Sequence, residues 1–577
     1  MLMLFRDVSE FLKEIEETTS RLDMTAKLAE LYNKLSPTEA KELSYLLLGK
    51  LAPDYYGVEL GIGMKLLFEA LSMATGWEVE DVEKLYEKMG EVGELSQYLI
   101  TKKKQSSLAS RDLAVKDVYD ALFKISSTSG QGSVMTKIKY AAELFNNSSP
   151  LEARYIARML VNKLRAGIGE PTIMDALSWS KTGTKEDREL IERAYNISSD
   201  IGEVAKAFLE GKDLSKEFTI EVLRPIRPAL AERLNSAEAI FAKLGKCAVE
   251  YKYDGFRMQV HKKGDLVSIF SRRLERMEGM FPDLVDSIKE MPYKDIVLEG
   301  EALAVNKKEG TFFSFQETMH RRRKYGIDEA SEKWPLHLYA FDVMYVDGDA
   351  LIDRPFKERR KVLESFLPFS NNIKLSHMEI AHNASDIKRV FDDALSKKLE
   401  GIMAKNLEAP YKAGKRGFSW IKLKKSYGKS VDTIDGVVVG YYRGSGARAK
   451  FGFGGLLVAV YDSERDEFQT IAKVGSGFTE EEMVRLRDML SEIAIKKPDK
   501  RLNTVVEADV WVEPRYVVEV MFDEITKSKQ HTAGNIDGQG YALRFPRFLK
   551  LRDDRDIYSI TTVNEVLEMF AAQSSKK

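Results

Sequence analysis

The sequence predicts a multidomain protein with an all-α domain, an α+β domain built on antiparallel sheets, and a small C-terminal β-barrel. Two observations carry this reading. The chain has 577 residues, several times the roughly 100–200 residues of an ordinary domain. Its apolar residues recur at helical spacing as far as about 215 and then switch to strand-like runs.

Composition narrows the class. A hydrophobic fraction of 44% and a charged fraction of 31% give each domain a core and a solvated surface, which excludes a disordered, collagenous or coiled-coil protein. The single cysteine, Cys247, cannot close an intrachain disulfide, and no Cys/His pattern has zinc-ligand spacing. Six scattered histidines argue against a histidine-based metal site. The opening Met-Leu-Met-Leu-Phe runs straight into Arg6 and Asp7, too short for a signal-peptide core. No window approaches the apolar length of a membrane span. The expectation is a soluble, intracellular protein.

Residues 1–215 form the predicted helical domain. Val8, Phe11, Leu12 and Ile15 share one helical face, as do Leu28, Leu31, Tyr32 and Leu35. Further helical segments fall near 65–73, 79–88, 115–125, 136–145, 151–164 and 187–197. Ser36-x-x-Glu39 and Ser149-x-x-Glu152 fit capping boxes at helix starts.

Residues 216–427 form the α+β domain. Strand patterns cover 247–255, 256–271, 295–305 and 336–348, with Lys263-Gly264-Asp265 as a hairpin turn. Helical patterns at 357–366 and 385–399 lie between later strands. In residues 428–577, five or so strands, Gly-rich turns and one helix near 479–495 suit a barrel of the OB type. An amphipathic stretch at 559–571 predicts a C-terminal helix.

The chemistry is concentrated in the middle domain. Lys252-Tyr253-Asp254-Gly255 ends an apolar strand, and alone it reads most simply as a strand end and turn. Other strands that look buried nevertheless carry charge: Glu299 and Glu301, Asp342 after Phe341, Glu400 before Gly401, and Lys422 and Lys424 alternating with Ile421 and Leu423. Buried charges cost several kcal/mol unless paired. Carboxylates and cations converging from several strands point to a polyphosphate and metal site.

These segments also carry a resemblance. KYDGFR (252–257), SRR (271–273), LEGEAL (298–303), YAFDVMYVDG (339–348), EGIMAK (400–405), SWIKLKKSY (419–427) and LRFPRFLKLRDDR (543–555) resemble, in order and spacing, the motifs of ATP-dependent DNA ligases of the archaeal and eukaryotic replicative type. The resemblance covers almost the whole chain and is nearest to the archaeal enzymes. It implies a helical DNA-binding domain, an adenylation domain of the covalent nucleotidyltransferase class, and an OB-fold domain. It further implies a role in DNA replication, repair and recombination.

In that family a lysine amine attacks the α-phosphorus of ATP, the AMP passes to the 5′-phosphate of a nick, and the 3′-hydroxyl displaces it. Lys252 takes the nucleophile's place. A lysine is nucleophilic only without its proton, which desolvation or neighbouring cations favour. Arg257, Arg272, Lys422, Lys424 and a bound Mg²⁺ would supply that field. By resemblance Glu250 accepts from the adenine amino group and Phe341 stacks on the base. Arg257 and Arg272 bind sugar and phosphate, Arg272 later holding the nick's 5′-phosphate. Arg416, Lys422 and Lys424 bind phosphate, although one lysine of an alternating pair is open to a solvated reading. Glu301 and Glu400 contact ribose or bind Mg²⁺, with Mn²⁺ as an alternative. Arg544, Arg547, Arg552 and Arg555 belong to the motif that orients pyrophosphate. That motif ends in arginine where many relatives have lysine, and Ser426 stands where many have aspartate.

The implied partner is nicked duplex DNA, bound by a monomer. A net charge of −1 by itself argues against this, but the charge is segregated. Residues 1–100 hold 10 basic and 19 acidic groups, residues 101–170 hold 12 and 6, and residues 411–450 hold 10 and 2. A phosphate meets the local field rather than the sum. KLRAGIGEPTIMDAL (163–177) resembles the family's DNA-binding segment, where glycines let backbone N–H groups approach phosphates. TKKKQSSLASR (101–111) lies where some archaeal ligases bind a sliding clamp, with Gln105 and Leu108 but without the paired aromatics. A clamp loop and an exposed basic loop both stay open there. The rival readings are an RNA ligase, a capping guanylyltransferase and a non-catalytic nick-binding scaffold. Glu250 and the helical domain oppose the first two, and the retained Lys252, Glu301 and Glu400 oppose the third.

Overall fold

The computed structural model describes all residues except 1, 19, 105–110, 163, 165–166, 307–310, 314, 324, 367–369, 371, 425–431, 445–447, 449–450, 537 and 575–577. The chain divides into two compact units, Met1–Ile220 and Glu221–Lys577.

The first unit is helical, from Phe5–Glu17 to Leu214–Glu217. Both expected capping boxes form: Ser36 and Ser149 accept from the N–H groups of Glu39 and Glu152, whose carboxylates reach back to the cap. Proline at the first helical position costs no hydrogen bond there, so Pro37 and Pro150 reinforce these starts. The helices pack around one apolar core that includes Phe5, Leu28, Leu43, Leu71, Val118 and Phe145. The helix expected over 151–164 is Pro150–Leu160, and Asn162 beyond it turns to a φ of 54°.

Among the described residues, the central part of the second unit carries twelve strands: β1 (Leu230–Arg233), β2 (Cys247–Lys252), β3 (Phe256–Lys263), β4 (Leu266–Ser271), β5 (Asp295–Asn306), β6 (Thr311–Phe312), β7 (Leu336–Val346), β8 (Asp349–Ala350), β9 (Ile373–Leu375), β10 (Met378–Ala381), β11 (Gly401–Asn406) and β12 (Arg416–Lys424). One sheet has the order β1-β12-β11-β2-β10 and the other the order β4-β3-β5-β7-β8, with β6 on β5 and β9 on β7. Pairing is antiparallel, as expected, apart from β1 with β12 and β7 with β9. Each sheet packs its own apolar cluster, around Val249 and Ile421 in one and Met258 and Leu298 in the other. The chain leaves the first sheet at Lys252 and enters the second at Phe256. Gly255 in that crossing is fixed by space, because a Cβ there would stand 2.3 Å from the Ala302 carbonyl oxygen.

The C-terminal part is sheet-rich. Among the described residues its strands join an eight-stranded and a three-stranded sheet, more than the five or so strands that the sequence suggests. The helix near 479–495 is Glu480–Glu492, and the C-terminal helix is Val563–Ser574. Among the described residues, no helix is long and apolar enough to cross a membrane.

Candidate active site

Strand register builds one face of the site. Lys252 on β2 pairs across Gly401 on β11 to Lys424 on β12, and Glu250 pairs across Met403 to Lys422. Lys405 stands two residues further along β11, opposite Trp420. Alternate residues of a strand share a face; Lys252, Glu250, Lys422 and Lys405 line one cavity, and Lys424 on the same face stays outside the lining. The second sheet contributes Arg257, paired in register with Glu301, and Phe341 on β7. The segment Arg552–Arg555 from the C-terminal part completes the lining.

Lys252 is held by the Glu400 carboxylate. Glu400 also binds Lys424 Nζ at 2.5 Å, and its backbone N–H donates to the Lys252 carbonyl at 3.1 Å. Burial pushes the Glu400 carboxyl up, but Lys252 and Lys424 outweigh it and hold the group well below the usual carboxylate range. Lys424 is therefore paired rather than solvated. Glu301 differs: burial pushes its carboxyl up to about 7, and its Oε1 accepts from the Gly255 N–H at 3.2 Å. Burial, and then Glu400, also raise Asp254 beside it.

Cations dominate the rest of the lining. Burial lowers Lys422 to about 7, with Arg416, Arg555 and Lys424 acting in the same direction. Burial lowers Arg272 as well, assisted by Arg555 and Arg257. The Arg257 guanidinium is fixed by Glu299 at 2.8 Å and the Ala229 carbonyl at 2.7 Å, facing the rings of Phe341 and Trp420. Glu299 and Asp342, two of the charges noted on buried strands, are neutralised by Arg257 and Arg359 and stay outside the cavity lining.

Four arginines were expected in the last motif, and the cavity gathers two of them. Arg552 and Arg555 line it and pair with Asp435, each at 3.3 Å. Arg544 and Arg547 do not line it; half-exposed, they pair with Glu524 and Asp523. Several lining or supporting residues escaped the sequence reading. Arg273 donates to the Arg555 carbonyl at 2.6 and 3.0 Å. Lys405 sits within a quoted motif, but only the register shows that its ammonium meets Glu250 at 2.7 Å. Glu565, on the C-terminal helix, binds Arg416 at 2.6 Å and Lys422 at 3.1 Å.

Among the described residues no three or more His, Cys, Asp or Glu side chains gather as a ready metal cage. Mg²⁺ commonly uses one or two carboxylates with waters and substrate phosphates. Glu301 and Glu400 fit that donor set, and the buried Glu301 carboxylate would gain from a nearby cation. In the helical unit, Gly167 and Gly169 precede the helix Glu170–Thr182, while Lys163, Arg165 and Ala166 lie outside the described residues. So do Gln105, Leu108, Ser426 and part of the basic stretch 411–450.

Comparison with known proteins places the chain. Residues 4–178 match the family model described as DNA ligase N terminus, residues 228–424 the ATP dependent DNA ligase domain, and residues 449–555 the ATP dependent DNA ligase C terminal region. The chain is 47% identical over 580 residues to a probable DNA ligase of Dictyoglomus thermophilum, covering 100% of this chain and 99% of that protein. It is 41% identical to DNA ligase 2 of Thermofilum pendens, covering 98% and 97%. It is also 41% identical to a DNA ligase of Sulfurisphaera tokodaii, covering 100% and 98%. Full-length identity at this level, on a chain whose strand register gathers Lys252 with carboxylates and cations, shows that the protein belongs to the family of ATP-dependent DNA ligases.

Proposed function

We propose that this protein seals 5′-phosphate/3′-hydroxyl nicks in duplex DNA, in replication, repair and recombination, at the expense of ATP. The observation that carries the proposal is Lys252 at the end of β2, in a cavity lined by Arg272, Lys422, Arg552 and Arg555. The Lys252 amine attacks the α-phosphorus of ATP. A P–N bond forms, the bond to the pyrophosphate oxygen breaks, and AMP is left on the lysine. The 5′-phosphate of the nick then takes the AMP, and the 3′-hydroxyl displaces it to form the phosphodiester.

The remaining residues divide the work. Phe341 stacks on adenine and Glu250 accepts from its amino group. Arg257 and Arg272 bind sugar and phosphate, and Arg272 passes to the nick's 5′-phosphate. Arg416, Lys422 and Lys424 stabilise charge on the phosphoryl oxygens. Arg552 and Arg555 orient pyrophosphate. Arg544 and Arg547 serve the same motif from outside the cavity lining. Mg²⁺ held by Glu301 and Glu400 would neutralise phosphate charge when bound.

We divide the functions at residues 215/216 and 427/428: a helical DNA-binding domain, an adenylation domain and an OB-fold domain. The OB assignment is supported by the strand-rich C-terminal sheets. We assign DNA contacts to cations of the basic stretch 411–450 other than Arg416, Lys422 and Lys424, and separately, in the helical unit, to the glycine-bounded helix start at Glu170. We read the enzyme as a soluble intracellular monomer. A clamp contact through 101–111 is a further proposal, supported only by sequence position, since 105–110 lie outside the described residues.

The test uses α-labelled ATP or GTP followed by unlabelled nicked duplex. Label from ATP should enter the protein, leave it when DNA is added, and be released as AMP as the strand closes. Label from GTP alone would favour a capping enzyme, and absence of label would contradict catalysis.

A further inference from the structure

Glu250 is 2% exposed and sits in a frame of donors. Its Oε1 accepts from Arg360 Nη1 at 3.1 Å and from Ser376 Oγ at 3.2 Å, and its Oε2 meets Lys405 Nζ at 2.7 Å. A carboxylate offers about four lone-pair sites. Three are filled by these donors, which leaves one acceptor site on a side chain that lines the cavity.

The frame is itself anchored. Arg360 lies on the helix Phe356–Phe366, is 4% exposed and does not line the cavity. Its remaining nitrogens are held by Glu364 and by the Ser376 carbonyl, both at 2.8 Å. Lys405 also donates to the Phe341 carbonyl at 3.1 Å, and its ammonium faces the Phe341 and Trp420 rings at 4.8 and 4.3 Å. Base-reading carboxylate and base-stacking ring are thus tied to one ammonium.

We infer that Arg360 and Lys405 are positioning residues that set purine discrimination, by holding Glu250 with a single open acceptor site for the amino group of a 6-aminopurine. The inference rests on the proposed role of Glu250 as base reader. A 6-oxopurine presents an oxygen to that site, so two acceptors meet with no proton between them. A carboxylate free to turn could accept from the ring N1–H of a 6-oxopurine instead, and the three-point frame denies it that rotation.

The test measures kcat/KM for enzyme adenylation with ATP, GTP and ITP on the full-length wild type, R360M, R360K, K405M and E250Q. R360M and K405M should each lower the ATP/GTP ratio by about tenfold or more, since a polar site that loses its geometry loses selectivity. R360K should fall between, because it keeps the charge but lacks the planar guanidinium fork that meets Glu250, Glu364 and Ser376 at once. If R360M does not fold, R360K and K405M decide. An equal loss with all three nucleotides, ratio unchanged, would show a merely structural role and overturn the inference. A ratio that shifts in E250Q but in none of the frame variants would overturn the inference and keep Glu250 as base reader. A ratio unmoved in E250Q would overturn the base-reader role itself.

Discussion

Glu565 lies between Arg416 and Lys422, with one carboxylate oxygen 2.6 Å from the guanidinium and the other 3.1 Å from the ammonium. It is 1% exposed. Burial pushes its carboxyl up, yet Arg416 and Lys422 outweigh that and hold it at about 2. A carboxylate from the C-terminal helix therefore occupies two cations assigned to nucleotide phosphate. On the proposed roles of Arg416 and Lys422, ATP competes with it for them.

E565Q removes the competing charge while keeping the shape and a hydrogen-bonding oxygen. The KM for ATP in enzyme adenylation should fall about tenfold, equivalent to ~1.4 kcal/mol. Thermal stability should fall as well, because a buried cation left unpaired is costly. Initial-rate measurements at varied ATP check the first and calorimetry the second. An unchanged KM would mean that Glu565 does not sit where phosphate binds.

Glu301 gives a pH signature. Its folded-state value of about 7 lies above the ordinary 4.5. A carboxyl raised by folding leaves stability intact below the unfolded value and removes it as pH climbs through the folded one. E301Q should thus match the wild type near pH 4 and gain on it between pH 4.5 and 7. The advantage should level off above pH 7 at about 3 kcal/mol. Urea unfolding at stepped pH, without nucleotide or metal, measures this, and a pH-independent difference would contradict the burial of the charge.

The sequence made much of this site legible because strands announce themselves by alternation. Lys252, Glu250, Lys422 and Lys424 were visible as charges at every second position in apolar runs, and the register places them on one face. Glu299 and Asp342 gave the same signal, but they are internal partners of Arg257 and Arg359, and no local pattern separates a structural pair from a ligand. Arg360 and Glu565 were illegible for another reason. Each lies on a helix remote in sequence from its partners, where a charged residue normally reads as solvated, and only tertiary packing brings them to Glu250 and Arg416. The helices Val92–Thr101 and Ile201–Leu209 also escaped. The helix ends marked by Ser36 and Ser149 were readable because a cap is a local interaction.

The most direct test of the central claim is to locate the adenylate. Full-length protein is incubated with ATP and a divalent cation, digested, and mapped by tandem mass spectrometry, before and after a chase with nicked DNA. A single AMP-modified lysine at position 252, lost on the chase and absent from K252A, is the predicted result. An adduct on another residue, or one that persists in folded K252A, would contradict it.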